Sequence, residues 1–93
     1  MNKEVFDKLI CSYKFKEKEK IEHNKDLFKY YELKFDETDI RPDLTLYWYE
    51  NEEFSLYKNE GFATIKLSSG RMNLYNIKLA IEDNIPNKIL NEI

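Results

Sequence analysis

The chain has 93 residues and a net charge of −3, with 35% charged and 42% hydrophobic side chains. A chain of this length forms one small core and buries only roughly 60–65% of its unfolded surface, so we expect a single domain over residues 1–93. Seven Tyr, six Phe and one Trp exclude a disordered composition, and two Gly and two Pro exclude collagen-like or low-complexity chains.

The N-terminal stretch predicts an amphipathic helix over residues 2–13, with Asn2 as its N-cap. Its apolar side chains recur at the helical spacing and form one stripe, at Val5, Phe6, Leu9, Ile10 and Tyr13. Mixed charges over residues 14–22 predict a solvated continuation of this helix. The alternation of Tyr13 and Phe15 is the competing signal, because it suits the start of a strand.

The middle of the chain predicts antiparallel strands. Residues 27–35 alternate apolar and charged side chains, which is typical of a half-buried strand. A polar loop follows at 36–43. Further strands are predicted at 44–49, 54–58 and 62–68, separated by polar turns at 50–53, 59–61 and 68–71. In the first of these three, Leu44, Leu46 and Trp48 share one face and predict the side that helices cover.

The C-terminal residues 73–93 predict a helix at 73–83, a break at Asn84-Ile85 and a short helix at 86–92 that begins with Pro86. Alternation of Tyr75, Ile77 and Leu79 leaves a strand open as the alternative. The predicted fold class is α+β: an antiparallel meander of about four strands covered by an N-terminal helix and C-terminal helices.

The charge is unevenly distributed along the chain. Residues 1–34 carry nine Lys against seven acids, residues 35–63 carry eight acids against two bases, and residues 64–93 carry four bases against three acids. The middle segment therefore has a charge of −6, between segments of +2 and +1. Such a segment repels phosphate and attracts basic surfaces, although it also suits an ordinary solvated loop.

No apolar run approaches the roughly 20 residues of a membrane span, and no signal-peptide pattern opens the chain. A single cysteine, Cys11, cannot form an internal disulfide, so we expect a reducing cytoplasm. Cys11 and His23 are too few for a Cys/His zinc site. Cys11 lies in the predicted apolar helix and His23 in a charged stretch, which disfavours a catalytic pair. Neither glycine stands in a phosphate-binding motif, so no cofactor is expected and the chain is predicted not to be an enzyme.

Two other functions can be derived from local patterns. Asp36, Asp39 and Asp43 could hold a hard cation for a small metal-dependent nuclease, which predicts magnesium-dependent cleavage lost in Asp43→Ala. The required Asp/Glu-x-Lys element occurs only at Glu32–Lys34, before Asp43, so its order is wrong. The second pattern, at residues 80–93, has helix-turn-helix spacing and predicts a DNA-binding regulator that uses Lys88 and Arg71.

The strands at 44–58 carry more large side chains than one core face needs. If Trp48 faces the helices, three tyrosines lie on the opposite face beside an acidic turn. We predict that this face binds a protein partner through six residues, Tyr47, Tyr49, Tyr57, Glu50, Glu52 and Glu53. The acids disfavour direct nucleic-acid binding and favour a partner with a basic surface. A homodimer through this face or through a sheet edge is also permitted.

Small acidic domains without active-site motifs resemble, as a class, the inhibitors and immunity proteins of phages and other mobile elements. Anti-CRISPR-like antagonists, in which an acidic face blocks a nucleic-acid-binding groove, belong to this class. The resemblance implies a non-catalytic inhibitor of a partner enzyme.

Overall fold

A computed structural model describes residues 3–19 and 25–93 of the chain. In chain order it contains helix α1 (Lys3–Ser12), strands β1 (Lys16–Lys18), β2 (Leu27–Leu33), β3 (Leu44–Tyr49), β4 (Glu53–Glu60) and β5 (Ala63–Arg71), and helices α2 (Leu74–Asn84) and α3 (Asn87–Leu90). The five strands form one antiparallel sheet in the order β1-β2-β3-β4-β5. The predicted α+β meander is confirmed, with one strand more than expected.

The core lies between the helices and one face of the sheet. Leu46 of β3 stands between Tyr31 of β2 and Leu56 of β4, and all three are fully buried. Trp48, on the same face of β3, meets the rings of Phe6 and Phe28 edge-on, with centroids 5.8 and 4.9 Å away. The buried side chains of α1, α2 and α3 join this same cluster. The predicted inward face of β3 is therefore the face that the helices cover.

Helix α1 ends at Ser12, and the predicted helical continuation is wrong over residues 14–19. Lys14 has a φ of 72°, a left-handed conformation that turns the chain back on itself. Phe15 is then buried, and β1 pairs with β2 so that Lys16 faces Glu32 and Lys18 faces Tyr30. Burial of Tyr13 and Phe15 outweighs the helical preference of the charged run. The remainder of that prediction, at 20–22, and the Asn2 cap lie outside the described residues.

A polar network attaches α1 to the β1 side of the sheet. The Tyr31 hydroxyl donates to Asp7 of α1 over 2.7 Å. The Lys29 ammonium lies 3.3 Å from the same carboxylate and 2.9 Å from that of Glu17 in β1. These charge-assisted contacts provide hydrogen-bond partners for polar groups that α1 partly covers. They therefore hold the helix in one position above β2.

The C-terminal helices form as predicted. Asn73 caps α2 by accepting the N–H of Asn76 over 2.8 Å, and Ile85 in extended conformation ends it. Ile77 and Ile81 are fully buried at the four-residue spacing, which settles the choice between helix and strand. Within the described ranges, no helix is long and apolar enough to cross a membrane.

Strand β5 is longer than predicted, and the turn expected at 68–71 does not form. Gly70 and Arg71 remain paired with Phe54 and Glu53 of β4. A register shift between Leu56 and Tyr57 accommodates the extra length. The Ser-Ser-Gly sequence is typical of a turn, but pairing along the whole of β4 keeps it extended.

We predict that substitutions in the two turns that flank β4 change the free energy of unfolding in opposite directions. Gly61 (φ 59°) and Glu52 (φ 66°) are both left-handed, and a Cβ at Gly61 would meet nothing within 4 Å. Gly61→Ala should therefore lose about 1 kcal/mol through backbone strain alone, whereas Glu52→Gly should gain up to about 1 kcal/mol. Urea unfolding of both variants measures these changes; shifts of the same sign would contradict this interpretation.

The buried tyrosine hydroxyls predict a loss of stability at alkaline pH. Burial and the hydrogen bond to Asp7 raise the pKa of Tyr31 far above its usual value, and burial with the Glu82 contact raises the pKa of Tyr13 to about 12. The folded state holds both protons more tightly, so this contribution is complete below about pH 10 and falls as pH rises from there. Unfolding free energies measured at successive alkaline pH values should decline less steeply for Tyr31→Phe. An unchanged slope would contradict this assignment.

Candidate interaction face of the sheet

Four tyrosines form a continuous ring cluster on the sheet face away from the helices. Tyr30 and Tyr47 are cross-strand neighbours on β2 and β3, stacked with ring centroids 5.8 Å apart. Tyr47 also stacks with Tyr49 at 6.4 Å and meets Tyr57 of β4 edge-on at 5.6 Å. We call Tyr30, Tyr47, Tyr49 and Tyr57 the tyrosine cluster; Tyr47, at its centre, contacts the other three.

Strand alternation is the reason that these rings share one face. Trp48 points into the core, so Tyr47 and Tyr49 on either side of it point outward. All four tyrosines are half-buried, and they lie on the face opposite the one that α1, α2 and α3 cover. Burial and the adjacent Tyr49 and Tyr30 rings raise the pKa of Tyr47 above its usual value. The Tyr47 hydroxyl therefore stays neutral at the centre of the cluster.

An acidic hollow adjoins the tyrosine cluster at the β3–β4 turn. Its volume is about 630 Å³, and it is open to solvent. Tyr49, Ser55 and Tyr57 line one part of it, Asp26, Glu50 and Glu53 contribute acidic side chains, and Lys66 contributes a single basic one. The Glu50 N–H donates to the Asp26 carbonyl over 2.7 Å, which brings the end of β3 close to the start of β2. Three acids therefore converge beside two rings of the cluster.

The structure brings together most of the six predicted contact residues. Tyr47, Tyr49 and Tyr57 lie in the cluster, and Glu50 and Glu53 line the hollow. Glu52 is exposed in the same turn but does not line the hollow. The contribution of Asp26 is absent from the sequence-based prediction, because it lies 24 residues before Glu50 in the chain. Only the pairing of β2 with β3 places Asp26 at this end.

The acidic middle segment is divided between the two ends of the sheet. β3 runs from the loop at 36–43 to the turn at 50–53, so the acids before it and after it are separated by the length of the strand. Glu60 lies at the first end, since Arg41 at that end contacts the Gly61 carbonyl next to it. The charge of −6 is therefore not one surface, and only the turn end adjoins the tyrosine cluster.

Basic side chains lie along the two outer edges of the same face. The strand register places Lys16 and Lys18 of β1 on this face opposite Glu32 and Tyr30. On the other side, Lys66 lies opposite Tyr57, with its ammonium 5.7 Å from the ring centroid. Lys16 and Lys18 were missed because residues 14–22 were interpreted as helix, whereas Tyr30 was missed because only the register of β2 with β3 places it beside Tyr47. The alternation of Tyr13 and Phe15 was the available signal.

The carboxylates of the 36–43 loop serve as backbone acceptors. Asp43 accepts the Phe35 N–H over 2.7 Å, and Asp36 accepts the Thr38 N–H and hydroxyl at 3.0 and 2.9 Å. Among the residues that the structure describes, no group of three or more His, Cys, Asp or Glu side chains is arranged to hold a metal ion. These hydrogen bonds account for the positions of Asp36 and Asp43 without a cation.

The remaining candidates do not come together as a site. Cys11 is exposed on α1, and partial burial with the nearby Asp7 and Glu17 raises its pKa, so it is a neutral thiol. His23 lies outside the described residues. Helix α3 has four residues, which make a single turn. A recognition helix in a major groove presents several turns to the bases. Arg71 lies on the outer face of the sheet, away from the helices that carry Lys88.

Comparison of the chain with protein-family models, with curated proteins and with solved structures finds no match. The functional interpretation therefore depends on the chemistry of the surfaces described above. The outer sheet face combines an aromatic centre with a defined charge pattern.

We predict that removing the charge of Asp43 and removing that of Asp36 affect the free energy of unfolding in different ways. Burial and the adjacent Asp39 raise the pKa of Asp43, despite the Phe35 N–H, whereas hydrogen bonds from Thr38 lower the pKa of Asp36. At neutral pH, Asp43→Asn should keep or increase the free energy of unfolding, because an amide still accepts the Phe35 N–H without a partly buried charge. Asp36→Asn should decrease it.

Denaturant unfolding at neutral pH, repeated at about pH 2, well below the usual Asp pKa of about 3.9, measures these differences. The difference in the free energy of unfolding between each variant and the unaltered protein should become smaller at the acidic pH. A marked loss of stability in Asp43→Asn at neutral pH would contradict the assigned role of Asp43.

Proposed function

We propose that the protein is a non-catalytic binding module that engages a basic protein surface with its outer sheet face. The observation that carries this proposal is the tyrosine cluster, which lies on an uncovered sheet face and continues into an acidic hollow. Aromatic rings at the centre with charges at the border are the arrangement of binding hot spots.

The cluster is suited to binding because its rings are already ordered. Tyr47 is held by contacts with three other rings, so little rotamer entropy remains to be lost when a partner covers it. Tyrosine has two side-chain torsions and combines a large apolar area with a hydroxyl that can hydrogen-bond across an interface. These properties support a pre-formed contact surface.

The acidic hollow supports a basic partner. Asp26, Glu50 and Glu53 lie together at one end of the face, with Glu52 in the adjacent turn. Such a group speeds encounter with Lys- and Arg-rich surfaces and disfavours acidic ones. Grooves that bind nucleic acid are basic surfaces of this kind, so an inhibitor or immunity-type role against a nucleic-acid-binding enzyme is the proposed function. The exposed thiol of Cys11 favours a reducing cytoplasm as the compartment.

A second candidate function is binding of single-stranded nucleic acid to the tyrosine cluster. Lys16, Lys18 and Lys66 on the same face favour it, because exposed rings beside basic side chains form stacking platforms for bases. Glu32 and Glu53 share the face, and the hollow would repel a phosphate backbone. The protein-binding function therefore has the stronger support, and the experiment below separates the two.

The tyrosine cluster predicts a large loss of partner affinity in a triple variant. The immobilised protein is used to capture partners from the native host, and the captured protein is then purified and titrated. Replacing Tyr47, Tyr49 and Tyr57 by Ala should raise the dissociation constant by about 30-fold or more, as loss of a hot spot does. Circular dichroism and urea unfolding establish that the variant is folded, and Ile40→Ala, exposed in a distant loop, is the control.

The acidic hollow predicts a change in the salt dependence of binding. Glu50→Gln combined with Glu53→Gln should slow association and flatten its dependence on ionic strength, whereas Glu37→Gln with Glu60→Gln should change both less. A single-stranded oligonucleotide is expected to compete for the partner without binding the protein itself. Unchanged partner affinity in the triple variant, or direct binding of the oligonucleotide to the cluster, would overturn the proposal.

A further inference from the structure

The free edge of β5 and the adjacent side of α2 form a second surface, which is rich in exposed apolar side chains. Within the described ranges, five of the eight exposed large hydrophobic residues belong to β5, α2 or the hairpin turn before β5: Phe62, Ile65, Leu74, Tyr75 and Leu79. We call these five residues, with the open edge of β5, the β5 flank. The Asn76 side chain donates to the Arg71 carbonyl over 3.0 Å and joins the two elements.

A groove runs between the strand and the helix of the β5 flank. Its volume is about 210 Å³, and Leu67 of β5 and Leu79 and Ala80 of α2 line it together with Phe54. Leu79 is 46% exposed there, although it lies beside the core residue Ala80. Ser68, Ser69, Asn76, Asp83 and Asn84 complete its lining, so the groove is largely polar and the apolar contacts of the β5 flank come from its exposed side chains.

The two edges of the sheet differ in how they are protected. β1 has three residues, all charged, and such short charged edges resist pairing with another strand. β5 has nine residues and carries charge only at Lys66 and at its last residue, Arg71. In the described part of the chain, β4 is the only strand that pairs with β5. The backbone groups on the other side of β5 are thus available to an additional strand.

We propose that β5 pairs in antiparallel orientation with β5 of a second copy of this chain, giving a continuous sheet of ten strands. The positions of the apolar side chains favour a second copy over another strand. Antiparallel pairing brings the start of one β5 beside the end of the other, where α2 begins. Phe62, with a fully exposed ring, then lies beside Leu74 and Tyr75 of the second copy, and the reciprocal contact forms at the other end.

The charge of the β5 flank also suits self-association. A twofold interface places each patch against itself, so a strongly charged patch would repel its copy. Residues 63–84 carry Lys66, Arg71 and Lys78 against Glu82 and Asp83, a sum of +1. This is close to neutral and contrasts with the acidic hollow, where like charges would meet. The acidic hollow suits a foreign basic partner, and the β5 flank suits a copy of itself.

The size of the β5 flank is sufficient for a small dimer interface. Nine extended residues span roughly 30 Å, and a strand with a helix beside it is on the order of 15–20 Å deep. Each copy would therefore contribute on the order of 500 Å², and the two together about 1,000 Å², the lower end for specific interfaces. Backbone hydrogen bonds along the paired strands add to this apolar contact.

This geometry has a consequence for the outer face. Antiparallel edge pairing relates the copies by an axis perpendicular to the sheet, so both tyrosine clusters lie on the same side and all helices on the other. The two β3 strands would be five strand spacings apart, about 24 Å. The dimer would thus present two copies of the outer face to one partner, although the pairing itself does not depend on the proposed function.

The test is the association state of the full chain measured by sedimentation equilibrium over a wide concentration range. We expect a monomer–dimer equilibrium, with the dissociation constant raised at least tenfold by Phe62→Glu and by Leu79→Glu, as for loss of a central contact (~1.4 kcal/mol). Ile93→Glu adds the same charge at an exposed apolar site next to the Lys14–Glu92 ion pair, on the β1 side of the molecule, and should leave the equilibrium unchanged. Circular dichroism establishes that each variant is folded.

Hydrogen exchange gives a second measurement that does not require a variant. Amides of β5 should become more protected as protein concentration rises, whereas those of β1 should not. A chain that is monomeric at every concentration would overturn the inference. So would a dimer that survives both Glu variants, or one that is lost in the Tyr47, Tyr49 and Tyr57 triple variant instead. These outcomes differ from those of the partner titration, so the two proposals can fail separately.

Discussion

In residues 3–19 and 25–93, the three helices cover only one face of the sheet, and this limit governs the rest of the structure. α1 and α2 have 10 and 11 residues and α3 has four, so the longest is only about 16 Å in length. Their buried side chains pack against the inward face around Trp48 and Leu46. The second face of a five-stranded sheet consequently has to be stable in contact with water.

Tyrosine meets that requirement, because its ring packs across strands while its hydroxyl remains hydrated. Stacking of Tyr47 on Tyr30 stabilises pairing of β2 and β3, and its edge-on contact with Tyr57 stabilises pairing of β3 and β4, by roughly 0.2–1 kcal/mol for each cross-strand pair. The same contacts order the rings before any partner arrives. Sheet stabilisation and a pre-formed contact surface therefore have the same physical origin in this molecule.

The surfaces of the protein differ in charge because the chain path separates its acids and bases. The β3–β4 turn gathers acids beside the tyrosine cluster, while the β5 flank is apolar and close to neutral. Lysines lie along the β1 edge, where their charges disfavour pairing with another strand. The acidic end is suited to a basic protein and the β5 flank to a second copy, so the two proposed contacts use different surfaces and different interactions.

Local patterns in the sequence predicted much of the fold. The helical stripe ending at Tyr13, the alternation in β2 and β3 and the four-residue spacing of Ile77 and Ile81 each reflect burial on one side of one element. Those signals are contained within a single segment. They were enough for the α+β meander, for the inward face of β3 and for three tyrosines on the opposite face.

Tertiary structure decided the features that depend on pairing between distant segments. β1 became a strand because Tyr13 and Phe15 are buried and β2 offers an edge, although its charges favour helix. β5 stayed extended through Ser69 and Gly70 because β4 pairs with it along its length. The pairing and direction of the strands place Asp26 in the acidic hollow. They also divide the segment of charge −6 between the two ends of the sheet. A sequence specifies which side of an element is apolar, whereas long-range hydrogen bonding specifies which residues become neighbours.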